Sequence, residues 1–553
     1  MGGEMTHVDR REAGLYWQSR MGNNADGIGG NAHRYDVVAE EADGSISSRH
    51  FLVDYGLKLG GGRGYSCEFP SPEGVFVRRG ESAPDGGGGP PEALLLTHAH
   101  EDHLGAVRHA IDMGYSCPPV YATAFTAAML NNSLVKAGIA RDLWPEIHIV
   151  RGGDVAEIGS AKVEFVPMDH MPGATALRIR TKEASVFHTG DYKFDETLAL
   201  GERADPHRLR AIGAEGVDMV VSDSTSVATN GAPASEAEIC RNLTRIVGDS
   251  RGRAVVAGIL GSQLDRLVSL GRAAHANGRV LAVCGRSLAD NVAAAQAAGL
   301  DIEGAAGTRI LTSREARDLP PETVLMVTTG AFAQSNAGLM RSAHRQPGAL
   351  PIDENTTVVI PQRAIPSVKT AHASMVAKLE ERGAKVVTAE RAPELGYGPI
   401  HQSGHAVERD AKLLYTLLKP RKIVAPIHGD GKQVEANGRL ARSLGIPSLM
   451  LERNGAVVHI GASGASVVGV EEVSRIGARE SEAVVKQLPR APRGQGRNNR
   501  APPAVFVYDR LDGSGRIVQH ANLPAPEVST RPKAPDGPQT VYAGARLHVQ
   551  TSR

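Results

Sequence analysis

The sequence predicts a multidomain α/β protein with a metal site at one edge of its sheets, and three observations predict it. Through the middle of the chain short apolar runs alternate with helical patterns, as in a parallel sheet with crossover helices. Histidine and aspartate recur where apolar runs end. The 553 residues are 41% hydrophobic and 22% charged, which is ordinary globular burial rather than disorder. At roughly 150 residues per domain, this length gives about three or four domains.

Composition narrows the setting. No stretch approaches the roughly 18 apolar residues of a membrane span, so no membrane association is expected. The opening MGGEMTHVDRREAG has no apolar core of a secretory signal,. Cys67, Cys117, Cys240 and Cys284 lie far apart with no CxxC. That argues against a disulfide framework or a cysteine zinc cluster and for a reducing, cytoplasmic location. The net charge is +1, so a nucleic-acid partner needs a local basic groove rather than a global field. Aromatics make up 4%, too few for an extended stacking platform. Histidine stands out at 20 residues.

Between about 34 and 225 the pattern is short strands ending in turn residues, with strands expected at 51–53, 93–96, 163–166, 185–187 and 217–221. From 235 to 390 helices and strands alternate. Ser235 and Glu238 form a capping box that opens a helix through 247. A strand at 254–260 leads to a helix at 262–277, where Leu264, Leu267, Val268 and Ala274 share a face. A strand at 279–283, a helix at 288–298, strands at 323–327 and 357–360, and a helix at 368–382 follow. A helix at 406–418 and a strand at 422–426 close the alternation. Three breaks divide the chain: a Gly/Pro loop at 81–91, the end of alternation near 455, and a linker at 488–503. The last region carries Lys486, Arg490, Arg493, Arg497 and Arg500 and no acid between 483 and 508; it reads as a solvated linker or as a phosphate-contacting arm.

The strongest chemical signal is Thr97-His98-Ala99-His100-Glu101-Asp102-His103, directly after an apolar run. Extended backbone points His98 and His100 to one side, and the following turn swings Asp102 and His103 toward a neighbouring point. Imidazoles and a carboxylate are the donors a borderline divalent ion takes, and four of them divide naturally between two ions. Five more candidates end predicted strands: Asp54, His170, Asp191, Asp223 and His428. Strand C-termini are where α/β sites assemble. His188, His109, His401 and Asp169 read as core, helix, loop and turn residues rather than ligands.

Asp54, HAHEDH at 98–103, His170 and the TGDYKFD around Asp191 resemble the ordered motifs of the metallo-β-lactamase fold. His428, reached only after an α/β stretch, resembles the last ligand of β-CASP nucleases, which insert a second domain. SDST at 222–225, SGHA at 403–406 and PIHGD at 426–430 are similar to the motifs of the ribonuclease J group. The resemblance covers about residues 20 to 455. It implies an αββα sandwich (1–225 and 391–455), an inserted β-CASP domain (226–390) and a small C-terminal α+β domain (456–553). It implies that His98, His100 and His170 hold one ion, that Asp102, His103 and His428 hold the other, and that Asp191 bridges them. The ions would be zinc, or manganese. Asp54 would orient a ligand imidazole from behind. His405, at the start of the 406–418 helix and partnered by Asp223, would act as general acid, and with Ser403 would contact phosphate.

The implied function is two-metal hydrolysis of single-stranded RNA, as 5′-to-3′ exonuclease and endonuclease, by a homodimer or homotetramer. Three other readings stand beside it: a nuclease acting on DNA, a small-molecule hydrolase and a non-catalytic scaffold. Three stretches depart from the family pattern. Thr328–Gln334 replaces a TGSQGE-like segment, Val407 replaces a second serine after SGHA, and 26–31 replaces a GGxxEIGxN-like turn. Phosphodiester chemistry is therefore better supported than dependence on a 5′ end.

Overall fold

The computed structural model describes residues 8–22, 27–60, 65–82, 89–231, 233–364, 368–480, 506–511 and 517–520. Two sheets stack face to face. The first has eight strands, in the order Ile147–Val150, Val120–Thr123, Leu94–Leu95, Ile46–Tyr55, Ala32–Glu40, Gly14–Met21, Ala456–Gly461 and Gly464–Val470. The second has six: Val155–Ile158, Ala161–Pro167, Thr175–Arg180, Ser185–His188, Met219–Asp223 and Ile423–Ile427. Trp17, Tyr35 and Phe51 of the first meet Val163, Phe165 and Val186 of the second in one buried cluster. Each such side chain contributes roughly 1.5–3 kcal/mol by leaving water.

The outer faces carry helices. Leu52 and Leu94 pack with Phe125, Leu130 and Leu134 of helix Ala124–Ala137. Phe187, Val220 and Val424 pack with helices Pro206–Glu215, Glu408–Leu418 and Gly431–Ser443. These four layers are the expected αββα sandwich.

The chain leaves the second sheet after Asp223 and returns at Ile423 as the neighbouring parallel strand. Between them lies a third sheet of six parallel strands, in the order Ile310–Thr312, Val280–Cys284, Val324–Thr329, Ala254–Ile259, Thr356–Ile360 and Lys385–Thr388. It opens with helix Glu236–Gly248, where Ser235 Oγ accepts from the Glu238 N–H at 3.2 Å, as the capping pattern predicts. Its helix Arg286–Ala297 packs on helix Ala124–Ala137 of the sandwich. No helix among the described residues is long and apolar enough to cross a membrane.

Two expectations change. The break near 455 falls inside the sandwich, because the hairpin Ala456–Gly461/Gly464–Val470 completes the first sheet beside Gly14–Met21. Alternation ends there because the pairing becomes antiparallel, not because a domain ends. Beyond it, Arg475–Glu480 pairs with Cys67–Pro70, and Phe506–Leu511 and Ile517–His520 follow in the same sheet. The described part of the C-terminal region is therefore strands joined to the sandwich, and no helix occurs among its described residues. The basic linker and most of the 81–91 loop lie outside the described residues.

Candidate metal centre

All six strand ends singled out in the sequence meet at one edge of the sandwich. Asp54 is at the end of Ile46–Tyr55, His98 to His103 follow Leu94–Leu95, and His170 follows Ala161–Pro167. Asp191 follows Ser185–His188, Asp223 ends Met219–Asp223, and His428 follows Ile423–Ile427. The turns there admit no extra bulk. A Cβ on Gly56 would stand 1.7 Å from the Asp102 carbonyl, and Gly190, at φ +55°, lies against Thr97 just before Asp191. Asp54 (φ 59°) and His428 (φ 53°) adopt left-handed backbone without being glycine, a strain that concentrates at functional positions. Helix Gly431–Ser443 fixes the His428 turn. Asp430 caps it through the Lys432 and Gln433 N–H groups, Gln433 bonds back to Asp430 N at 2.7 Å, and its Nε2 reaches Thr225 O at 2.6 Å.

The donors fall into two sets sharing one carboxylate: His98, His100, His170, Asp191 and Asp102, His103, Asp191, His428, each within 4.8 Å. A third, overlapping set is Asp191, Asp223, His405 and His428. Four imidazoles are held from behind through Nδ1. His98 bonds Thr97 Oγ1 at 3.0 Å, His103 bonds Asp54 Oδ2 at 2.7 Å, His170 donates to Gly404 O at 2.6 Å, and His428 bonds Thr225 Oγ1 at 2.9 Å and Asp223 Oδ1 at 3.2 Å. Their Nε2 atoms turn inward. His98 Nε2 and His170 Nε2 lie 3.2 and 3.0 Å from His100 Nδ1, while His428 Nε2 is 3.2 Å from Asp102 Oδ2. Asp191 Oδ2 lies 3.3 to 3.7 Å from nitrogens of His103, His98, His170 and His405, yet accepts no well-formed hydrogen bond.

Such geometry is poor for protons and good for cations. Nitrogens of buried imidazoles converge on one point, and a buried carboxylate oxygen, Asp191 Oδ2, stands there without a hydrogen-bond partner,. Nitrogen and carboxylate donors in two sets of four suit zinc or another borderline divalent ion. The charge balance agrees. Burial holds His98, His100 and His170 down, His170 to about 3, so they stay neutral. Burial also opposes charge on His103 and His428, but Asp191, Asp54, Asp102 and Asp223 overcome it, and His428 is drawn up to about 10. Protons there stand in for the positive charge the carboxylates call for. Asp191 and Asp102, although buried, are held low by these imidazoles.

His405 sits beside the shared carboxylate. Its Nδ1 is 2.8 Å from Asp223 Oδ2 and 3.7 Å from Asp191 Oδ2, and its side chain keeps 20% exposure. Burial disfavours its charged form, but Asp223 and Asp191 raise it above the usual imidazole range. One expectation fails. Helix Glu408–Leu418 begins later than 406, with Val407 as N-cap and Glu408 and Asp410 in its first turn. Its N-terminus answers its own acids, so it does not present bare N–H groups beside His405. Ser403 Oγ bonds Ser226 Oγ at 2.7 Å and accepts from His405 N at 3.1 Å, which sets the turn.

Thr97, Thr225 and Asn31 carry roles that the motifs did not assign. Thr97 Oγ1 bonds Asp54 Oδ2 at 2.8 Å, Thr225 Oγ1 bonds Asp223 Oδ1 at 2.8 Å, and Asn31 Nδ2 meets His103 Nε2 at 3.0 Å. The first two stood inside quoted motifs, next to His98 and two residues after Asp223. His188 and His109 are not in the cluster: His188 bonds Tyr35 OH at 3.0 Å, and His109 bonds Tyr508 OH at 3.1 Å. Asp169 accepts the N–H groups of Asp195 and Ala204 as a turn residue.

An αββα sandwich with this donor set, interrupted by a parallel α/β sheet between Asp223 and His428, is a metallo-β-lactamase fold with an inserted β-CASP domain, a class of metal-dependent hydrolases. Family models agree, one described as a beta-lactamase superfamily domain over residues 70–218 and one as the ribonuclease J beta-CASP domain over residues 251–379. The chain belongs to the ribonuclease J family: it is 31% identical to ribonuclease J of Mycolicibacterium smegmatis over 389 residues, 70% of this chain and 67% of that protein. It is 33% identical to ribonuclease J of Sinorhizobium meliloti over 315 residues, 57% of this chain and 53% of that one, so the match spans about half of that relative's length. A crystal structure of a protein of unknown function from Enterococcus faecalis shares the fold, with a TM-score of 0.54 at 15% identity, over 80% of this chain and 99% of that one.

Proposed function

We propose that this protein hydrolyses phosphodiester bonds of single-stranded RNA with two bound divalent ions, cutting both internally and 5′-to-3′ in RNA processing and decay. One observation carries the reading: two four-donor sets share Asp191, and the His405–Asp223 pair stands 3.7 Å from that shared carboxylate. His98, His100 and His170 hold one ion, Asp102, His103 and His428 the other, with zinc favoured by the imidazoles and manganese as the alternative. Such a pair of ions supplies charge for the phosphoryl oxygens and a water of lowered pKa. Asp54 and Asp223 fix the tautomers of His103 and His428. His405, charged beside Asp223, donates its Nε2 proton to the leaving O3′ as general acid. Ser403 and His405 contact the phosphate. The domain division at 225 and 390 supports this reading, with the closing part running past 455 to about 470. The setting is cytoplasmic, and the assembly a homodimer or homotetramer.

The test is cleavage of one single-stranded oligonucleotide, as RNA and as DNA, with Zn²⁺, Mn²⁺ or EDTA, beside His405→Ala. RNA cleavage that EDTA abolishes, and that His405→Ala lowers by about 10²–10⁴-fold, is expected. Cleavage of DNA alone overturns the RNA assignment. No cleavage by protein holding two ions overturns the nuclease reading.

A further inference from the structure

Behind the metal centre, the layer between the second sheet and its helices is mostly apolar, filled by Phe187, Val220, Leu414, Leu418, Val424 and Leu440. Helix Gly431–Ser443 turns Val434, Asn437, Gly438 and Ala441 inward, at the spacing of one helical face,. Asn437 is fully buried there, where the pattern calls for an aliphatic side chain. A buried amide in apolar surroundings is costly unless its donors and its acceptor are met. Here they are met at the turn that carries Asp223. Asn437 Nδ2 donates to Asp223 O at 3.1 Å and to Ser224 Oγ at 3.0 Å. Tyr415 OH, from helix Glu408–Leu418, donates to Asn437 Oδ1 at 2.6 Å and stands 3.0 Å from Ser222 Oγ.

The connectivity gives this network a meaning beyond packing. His405 lies just before helix Glu408–Leu418, and His428 just before helix Gly431–Ser443. In front of the turn, the two oxygens of Asp223 take one imidazole each. Oδ2 meets His405 Nδ1 at 2.8 Å, and Oδ1 meets His428 Nδ1 at 3.2 Å. Behind the turn, the helices that follow those two histidines return one polar side chain each, Tyr415 and Asn437. Thr189 Oγ1 accepts the Asp223 N–H at 3.1 Å and holds the strand side. The segment 222–224 is thus where one strand and both helices are set against each other. The His428 bond is already at the long end of its range, so a small shift of the turn loses it.

We propose that Asn437, supported by Tyr415, is a positioning residue for the reaction: it fixes the Asp223 turn so that one carboxylate orients both His405 and the ion ligand His428. The inference rests on the ribonuclease reading of the site. Removing the amide loosens both imidazoles at once. Turnover and the hold on one ion then fall together, while RNA binding does not.

The test compares Asn437→Leu, which keeps the bulk, with Tyr415→Phe, which removes only the hydroxyl. The control is Asn277→Ala. Asn277 follows helix Leu264–Ala276 in the inserted domain, and its Nδ2 donates to Thr244 O at 3.1 Å and Ala273 O at 2.8 Å. Zinc titration against a chelator, kcat on single-stranded RNA, RNA affinity by fluorescence anisotropy and thermal melting are read on each. Asn437→Leu is expected to weaken one of two zinc ions and to lower kcat, each by about 10–100-fold. RNA affinity should stay within about threefold. Tyr415→Phe should move zinc affinity and kcat the same way by about threefold or more. Asn277→Ala should lower the melting temperature alone. If Asn437→Leu melts earlier but keeps wild-type zinc affinity and kcat, the network is only structural and the proposal is overturned. If Asn437→Leu does not fold, Tyr415→Phe decides, and wild-type values in it overturn the proposal. A wild type that cleaves no RNA sinks the nuclease reading, and the zinc titration then decides the hold on His428 by itself.

Discussion

Two walls, the strand ends of the sandwich and the first turn of helix Leu264–Ala276 in the inserted domain, line one cleft and are equipped in opposite ways. The sandwich ends its strands in histidines and aspartates whose donor atoms point at one another, with Asp191 Oδ2 left without a hydrogen bond. The inserted sheet ends its strands in Thr312, Cys284, Thr329, Ile259, Ile360 and Thr388, none of them a histidine or a carboxylate, and beside the cleft Arg266 is paired with Glu236. One side gathers donors that lack partners, and on the other the charged groups are already committed to carboxylates, carbonyls and backbone N–H groups.

The comparison breaks most sharply at Asp191. Asp191→Ala should empty both ion sites and lower cleavage by about a thousandfold or more. Metal content after dialysis, measured by atomic emission, checks it, and two retained ions would show that the shared carboxylate is not central. A smaller effect is expected behind the ligands. Asp54→Asn weakens the hold on His103 Nδ1 and should cost about 10–100-fold in metal affinity. A zinc titration against a competing chelator reads this, and unchanged affinity would reduce Asp54 to a turn residue.

On the helix wall the expected effect is on stability. Burial, with Glu236 nearby, pushes the Asp265 carboxyl up to about 6 in the folded protein, against the Ala199 and Leu200 N–H groups and Lys193, which lower it. Because that lies above the unfolded value, its contribution to stability is full below about pH 4 and is lost as the pH rises through about 6. Asp265→Asn should therefore stabilise the protein by roughly 3 kcal/mol at pH 8, with the gain vanishing toward about pH 4. Thermal melts across that range decide it. A gain that does not change with pH would mean that burial does not hold the carboxyl's pKa up as described.

The metal wall was legible in the sequence because ligation needs particular residue types. HAHEDH after an apolar run has few other uses, and Asp54, His170, Asp191, Asp223 and His428 each closed a strand that the structure contains. The helix wall was not legible. The partner of Arg266 is Glu236, and that of Asp265 is the backbone at 199–200. Both pairings cross the fold and leave no local pattern. The start of helix Glu408–Leu418 was misplaced because Ala406 and Val407 continue its apolar spacing, while the N-cap is Val407, whose N–H faces Asp410 Oδ2. The boundary near 455 was misread for a related reason: a hairpin at the edge of a sheet resembles the start of a new domain until its partner, Gly14–Met21, is known.

The departure of the chain after Asp223 and its return at Ile423 also sets an order in time. A polypeptide made from its N-terminus exposes His98, His100, His170 and Asp191 first, and supplies His428 only after the whole inserted unit has emerged,. Until then the second set of donors lacks a member, so one ion position can fill early and the other cannot. Occupancy of the second position would therefore record that the inserted unit has been made and has docked, because only then does His428 stand beside Asp102, His103 and Asp191.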